Sequence, residues 1–202
     1  MSSQFWNNIY LNKNDDQKSW FEDLPKTSLK LIRELNLPKN SPIIDIGGGD
    51  SKLMDFLYED GYTDLSVLDI SAISLKNLRA RLDKSHKEVC LIESDILNFK
   101  TKRHYTLWHD RATFHFLTTP EQIENYLKTA YESLKQDGYL IVSTFSKSGP
   151  EKCSGLDISQ YSEIDLKKLF GKYFQNTKCF EETHVTPWGA KQDFVYCGFR
   201  KI

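Results

Sequence analysis

The sequence lacks most of the features that announce a function at first sight. Its four cysteines, Cys90, Cys153, Cys179 and Cys197, form no CxxC pair and no cysteine–histidine spacing suited to a metal, so no metal ligands are expected. No apolar run nears the roughly 18 residues that span a bilayer, and the opening MSSQFWNNIY lacks the basic and apolar regions of a signal peptide. Neither sign of charge dominates: the formal net charge is −1, which gives no overall field to draw nucleic acid or an anionic membrane. Repeats and low-complexity stretches are missing as well. These absences argue against a membrane protein and a nucleic-acid binder. They predict a cytoplasmic chain with free thiols, Cys90 being buried within the apolar run VCLI. Two local basic clusters, residues 76–87 and 100–104, read as solvated helix and loop faces.

What is present is an alternation. The chain has 202 residues, 39% of them hydrophobic and 27% charged, which suits one domain with a sizeable core. Short apolar runs predict strands at 42–46, 65–70, 88–93, 105–110 and 139–145. Between and around them, amphipathic stretches predict helices at 27–36, 51–59, 72–82, 120–136 and 163–171. The fourth helix has Thr119 as its cap, Pro120 in its first turn, Gln122 completing a capping box, and Gly138 as its stop. Strand–helix alternation of this kind builds a mostly parallel α/β sheet. The end differs: runs at 177–185 and 192–200 flank TPWGA, a hairpin turn.

The first strand runs into Asp45-Ile46-Gly47-Gly48-Gly49. A dinucleotide fingerprint would need a third glycine where Lys52 stands, and no GxxxxGK[ST] phosphate loop exists. What remains is a turn whose glycines admit close backbone approach, followed by a helix start suited to one anionic group. Asp69, ending the second strand, can accept hydrogen bonds from ribose hydroxyls, and Asp95, after the third, can receive an adenine amino group. The implied ligand is a nucleoside carrying a carboxylate but no phosphates.

Here the sequence resembles the class I S-adenosylmethionine-dependent methyltransferases. The carriers are IIDIGGGDS, the acid of VLDIS, the acid of ESDIL, the segment LWHDRATFHFLT and the final hairpin, spread over residues 20–202. The resemblance implies a Rossmann-like, mostly parallel seven-stranded sheet with helices on both faces and a C-terminal antiparallel hairpin. It implies one methyltransferase domain over 1–202, with 1–41 as an N-terminal helical lid. It also implies S-adenosylmethionine as cofactor: Asp45, Gly47, Gly48 and Gly49 would cradle the methionine part. Asp69 would hold the ribose, Ile70 would pack on the adenine, and Asp95 with Ile96 would hold its edge. A cofactor-binding protein without chemistry and an NAD-type Rossmann oxidoreductase stay open as alternatives.

The family's crevice between the first and fourth strands places His109, Asp110 and Arg111 beside the cofactor, with Phe114 and His115 following. His109 or His115 can take the acceptor's proton. Asp110 can orient an ammonium or the cofactor's amine, or be braced by Arg111. HDRATF stands where base N-methyltransferases carry Asn/Asp-Pro-Pro-aromatic, which argues against nucleic-acid bases and leaves small-molecule or protein-lysine acceptors. HDRATFHF is somewhat similar to a segment of small protein-lysine methyltransferases. Trp6, Tyr10, Trp20 and Phe21 would form a lid or an aromatic cage, or simply pack a leading helix. His184, Pro187, Trp188 and Gln192 at the hairpin, and Cys153 in the loop after the fifth strand, are further candidates to close the site.

Overall fold

The computed structural model describes residues 2–83 and 88–202. Lys84, His86 and Lys87 of the first basic cluster lie outside them, whereas Lys100, Lys102, Arg103 and His104 form an exposed loop face.

The strands are β1 (Ile43–Ile46), β2 (Leu65–Asp69), β3 (Cys90–Glu93), β4 (Tyr105–Arg111) and β5 (Leu134–Phe145). A short ribbon, β6 (Lys152–Cys153) with β7 (Leu156–Asp157), stands apart; β8 (Phe174–Val185) and β9 (Lys191–Lys201) end the chain. Seven of them make one sheet in the order β3-β2-β1-β4-β5-β9-β8. The first five pair in parallel, and β9 runs antiparallel to both β5 and β8. The chain builds outward from β1 to β3, then returns to add β4 on β1's other side. The sheet therefore reverses between β1 and β4, where a crevice opens at the strand C-termini.

Helices α1 (Ser3–Asn12), α2 (Lys26–Glu34), α3 (Leu53–Glu59) and α4 (Ala72–Asp83) cover one face, and α5 (Pro120–Ser133) and α6 (Glu163–Phe170) the other. Strand side chains alternate between these layers. Ile43 and Leu107 pack toward α3 and α4, while Ile44, Ile46 and Trp108 pack toward α5 and α6. That alternation sends Asp45, His109 and Arg111 to the first face and Asp110 to the second.

The capping box of α5 is as the sequence predicts, with Thr119 and Gln122 satisfying each other's backbone N–H groups. Its end is not. The helix stops at Ser133, because Leu134 enters the sheet opposite Tyr105 and the core. Residues 135–138 form the irregularity before Tyr139 meets Leu107, with Asp137, not Gly138, in the left-handed region.

The cysteines need two corrections. Cys179 and Cys197 are joined in a disulfide linking β8 to β9, so the expectation of four free thiols fails. They sit directly opposite in the hairpin register. Cys90 is exposed rather than buried, because β3 is an edge strand with an open face. Among the described residues, no helix is long and apolar enough to cross a membrane.

Candidate active site

The β1 turn is shaped by its own neighbours. Gly47 and Gly49 take left-handed φ values of 63° and 54°. A Cβ on Gly47 would collide with the Thr113 hydroxyl, one on Gly48 with the Asp45 carboxylate, and one on Gly49 with the Tyr10 hydroxyl. Only glycine lets β1, β4 and α1 converge there.

Two cavities meet at this turn. The larger is lined by Gly47, Leu68, Asp69, Ile70, Ser94, Asp95 and Ile96 on one side. Its other wall holds Trp6, Tyr10, Trp20, Phe116, Cys153, Arg111, Ala112 and Thr113. The smaller is lined by Asp45, Gly47, Gly48, Asp50, Ser51 and His109, with Ser28, Trp20, Phe21, Glu22 and Arg111. The structure thus brings Asp45, Gly47, Gly48, Asp69, Ile70, Asp95, Ile96 and His109 to the two cavities. Gly49 faces Tyr10 at their edge.

Asp69 is buried and accepts the Ser71 N–H at 2.8 Å, which also turns the chain into α4. Burial pushes its carboxyl up to about 6 against these hydrogen bonds. Asp95 accepts the Leu97 N–H at 2.9 Å in a similar turn. The Tyr10 hydroxyl lies over Gly49, and burial together with the Asp69 and Asp50 charges raises its pKa well above the ordinary value.

His109 is held at both ring nitrogens. Nδ1 lies 2.6 Å from Asp45 Oδ1, its register partner on β1, and Nε2 lies 2.9 Å from Ser28 Oγ on α2. Asp110, one residue on, points the other way. It accepts the N–H groups of Thr113 (3.0 Å) and Phe114 (3.2 Å) and the Tyr126 hydroxyl (2.7 Å), which itself accepts Trp108 Nε1–H. It lines neither cavity, and burial raises its carboxyl to about 6. His115 is fully buried against Phe116 and Phe145, lines neither cavity, and has no hydrogen-bond partner at either nitrogen. Burial and the nearby Arg111 push it down to about 3, so it stays neutral.

Arg111 does not brace Asp110; it reaches across the first face. Nε donates to the Tyr196 hydroxyl (3.2 Å) and Nη1 to the Trp20 carbonyl (2.9 Å), and Nη2 lies 3.3 Å from Glu22. The segment before α2 is fastened by these contacts and two more. Lys18 Nζ meets Asp50 at 2.7 Å, and His184 Nε2 meets the Ser19 carbonyl at 2.7 Å. Trp6 packs edge-on against Trp20 and Phe116. Ser28, Glu22 and Lys18 were not legible as site residues, because nothing local marks a serine inside a helix or charges in a loop. Pro187 and Trp188 line neither cavity, and Trp188 is exposed.

This fold, with its reversal point and glycine turn, defines the class I methyltransferase architecture. Residues 43–138 match the model of a methyltransferase domain family. The chain is similar to an eEF1A lysine and N-terminal methyltransferase homolog of Drosophila melanogaster, 22% identical over 146 residues, 67% of this chain. It spans about a fifth of that relative's length, 21%. Among solved structures it is similar to the N-methyltransferase NodS of Bradyrhizobium japonicum WM9 in complex with S-adenosyl-L-homocysteine. That likeness has 17% identity and a TM-score of 0.73, covering 100% of this chain and 99% of the other. A structure from echinomycin biosynthesis, where a disulfide bond becomes a thioacetal group, is similar at 14% identity and TM-score 0.80, covering 99% and 93%. Residues 43–138 are just under half of the chain, and over its whole length it has the fold of the methyltransferase structures it is similar to.

Proposed function

We propose that the whole chain is one methyltransferase domain that methylates a small molecule, with residues 1–41 as its lid. The ends of β1, β2 and β3 would hold S-adenosylmethionine: Gly47, Gly48 and Gly49 would face its methionine part, Asp69 would take the ribose hydroxyls, Ile70 would pack on the adenine, and Asp95 with Ile96 would hold the adenine edge. The observation that carries this reading is the shared wall: Asp69, Ile70, Asp95 and Ile96 line the same cavity as Gly47 at the sheet's reversal. Two carboxylates, flanking isoleucines and a backbone turn free of Cβ atoms fit a phosphate-free nucleoside. When bound, the cofactor supplies a methyl group on a sulfonium centre.

The chain's own groups then position and exclude. His109, tied at both nitrogens, orients the Asp45 carboxylate and pins α2 to β4; it is a positioning residue rather than a free base. Asp110 fixes the bend after β4, and His115 packs the core beneath it. Trp6, Tyr10 and Trp20 shield the transfer site from water, and alignment within about 3–3.5 Å supplies much of the acceleration. The enclosure favours a small acceptor over a protein segment. A protein lysine is the second reading, supported by the open groove between Leu24 and Val185, where Glu22, Asp23 and Glu182 would favour a cation. A cytoplasmic setting belongs to the same proposal; there the Cys179–Cys197 pair would be reduced to thiols.

Calorimetry with S-adenosylhomocysteine tests the site. Wild-type chain is expected to bind, and Asp69→Ala to bind far more weakly; equal affinities would reject the ribose assignment. Transfer of labelled methyl groups to a small-molecule extract or to a protein extract separates the two acceptor readings.

A further inference from the structure

We propose that the acceptor is a small apolar thiol, taken as its thiolate and held by the Arg111 guanidinium where the two cavities meet. The inference rests on the methyl-transfer reading above and names the substrate class of that site.

Beyond the side proposed for the nucleoside, the larger cavity is walled by Trp6, Trp20, Phe116, Cys153 and Arg111. Four of these are aromatic or sulfur-bearing, and aromatic rings make favourable contacts with sulfur, often at their positive edges. Arg111 is the cation, and it lines both cavities. Its Nε and Nη1 are spent on Tyr196 and Trp20, but buried Nη2 has no hydrogen-bond acceptor. Glu22 offsets part of the charge at 3.3 Å without hydrogen-bond geometry, and Phe194 lies against the guanidinium, 5.0 Å from ring centre. A buried guanidinium with a spare N–H is a receptor for an anion.

The site also offers no free base. His109 is engaged at both nitrogens, and His115 faces neither cavity. Among the described residues lining the larger cavity, the carboxylates are Asp69 and Asp95, both assigned to the nucleoside; the smaller cavity adds Asp45, Glu22 and Asp50, engaged with His109, Arg111 and Lys18. An amine would arrive as an ammonium, be repelled by Arg111, and find nothing to take its proton. A thiol, with a pKa of about 8.5 or lower on an aromatic body, ionises in water before entering. Cys153 does not compete for that role, since burial pushes its thiol up to about 12.

The transfer balances without a base. The acceptor sulfur gives a lone pair to the methyl carbon as that carbon's bond to the sulfonium sulfur breaks, and the bonding pair stays on the leaving sulfur. Thiolate and sulfonium both end as neutral thioethers, the thiol proton having gone to solvent beforehand.

The test uses the full chain saturated with S-adenosylhomocysteine, and benzenethiol as probe, because ionised and protonated aromatic thiols differ in ultraviolet absorbance. Bound probe is expected to titrate at least about one pH unit below free probe, a tenfold shift toward thiolate. Glu22→Gln is expected to deepen the shift. Arg111→Met is expected to abolish it in a chain that retains its circular dichroism. The proposal is overturned if wild-type chain leaves the probe unbound or titrating as in water. It is also overturned if folded Arg111→Met keeps the shift, or if cyclohexylamine binds the loaded chain more tightly than benzenethiol. Should Arg111→Met not fold, Glu22→Gln decides: no deepening overturns it. Calorimetry without thiol separates the two readings, since failure to bind S-adenosylhomocysteine removes methyl transfer itself.

Discussion

Two buried carboxylates end parallel strands in this molecule, and their surroundings differ in one respect. Asp69 at the end of β2 and Asp110 near the end of β4 are both driven up to about 6 by burial. Asp110 is saturated from within: two backbone N–H groups and the Tyr126 hydroxyl converge on it, inside the layer under α5. Asp69 also takes partners from the chain, the Ser71 N–H at 2.8 Å with the Gly49 N–H and the Ser74 hydroxyl, but it lines the larger cavity. The same burial therefore does two jobs. A carboxylate closed inside the core is a structural clamp; one that borders a cavity is a binding group.

If that contrast is right, truncating each acid should fail in a different assay. Asp110→Ala is expected to give the largest effect of all, a loss of about 3–5 kcal/mol in urea unfolding. It strands two N–H groups and a tyrosine hydroxyl in the core. Protein that still folds should bind S-adenosylhomocysteine with nearly wild-type affinity. Asp69→Ala should reverse the pattern. Stability should fall by about 1–3 kcal/mol as Ser71, Gly49 and Ser74 lose their acceptor, while affinity drops about 10- to 100-fold, equivalent to about 1.4–2.7 kcal/mol. Unfolding curves and calorimetry on the two variants together check both halves. Comparable binding losses in the two would erase the distinction.

The distinction was only half legible in the sequence. Hydrophobic alternation placed the five parallel strands and the closing hairpin, and the acids of VLDIS and ESDIL were recognisable from their strand-end positions. The partners were not. Asp45 and His109 become neighbours only because β4 returns to pair with β1 in a register no local pattern specifies. Ser28 completes that group from α2, and Tyr126 completes the Asp110 clamp from α5. His115 read as a base because histidine titrates near neutrality, yet its short turn buries it between phenylalanines. The disulfide did leave a trace: Cys179 and Cys197 are equally distant from Trp188 at the hairpin centre, so the predicted turn already put them opposite each other.

The finest test of the contrast is titration, where the expected effect is smallest. A carboxyl raised by burial is bound to its proton below about pH 6 and charged above it, so stability contributed by the neutral form is lost as pH rises through that value. Asp69 and Asp110 share this sign. Only Asp69 should pass it on to the ligand, because an ionised carboxylate accepts from two hydroxyls where a protonated one spends an oxygen on its own proton. S-adenosylhomocysteine affinity is therefore expected to rise about tenfold from pH 5 to pH 7 and then level off, as the charged fraction of Asp69 grows through its pKa. Asp69→Asn should flatten that rise. Asp110→Asn should leave the slope intact, since its carboxyl never meets the cavity. A pH slope that followed Asp110 instead would mean that the binding carboxylate had been placed on the wrong strand.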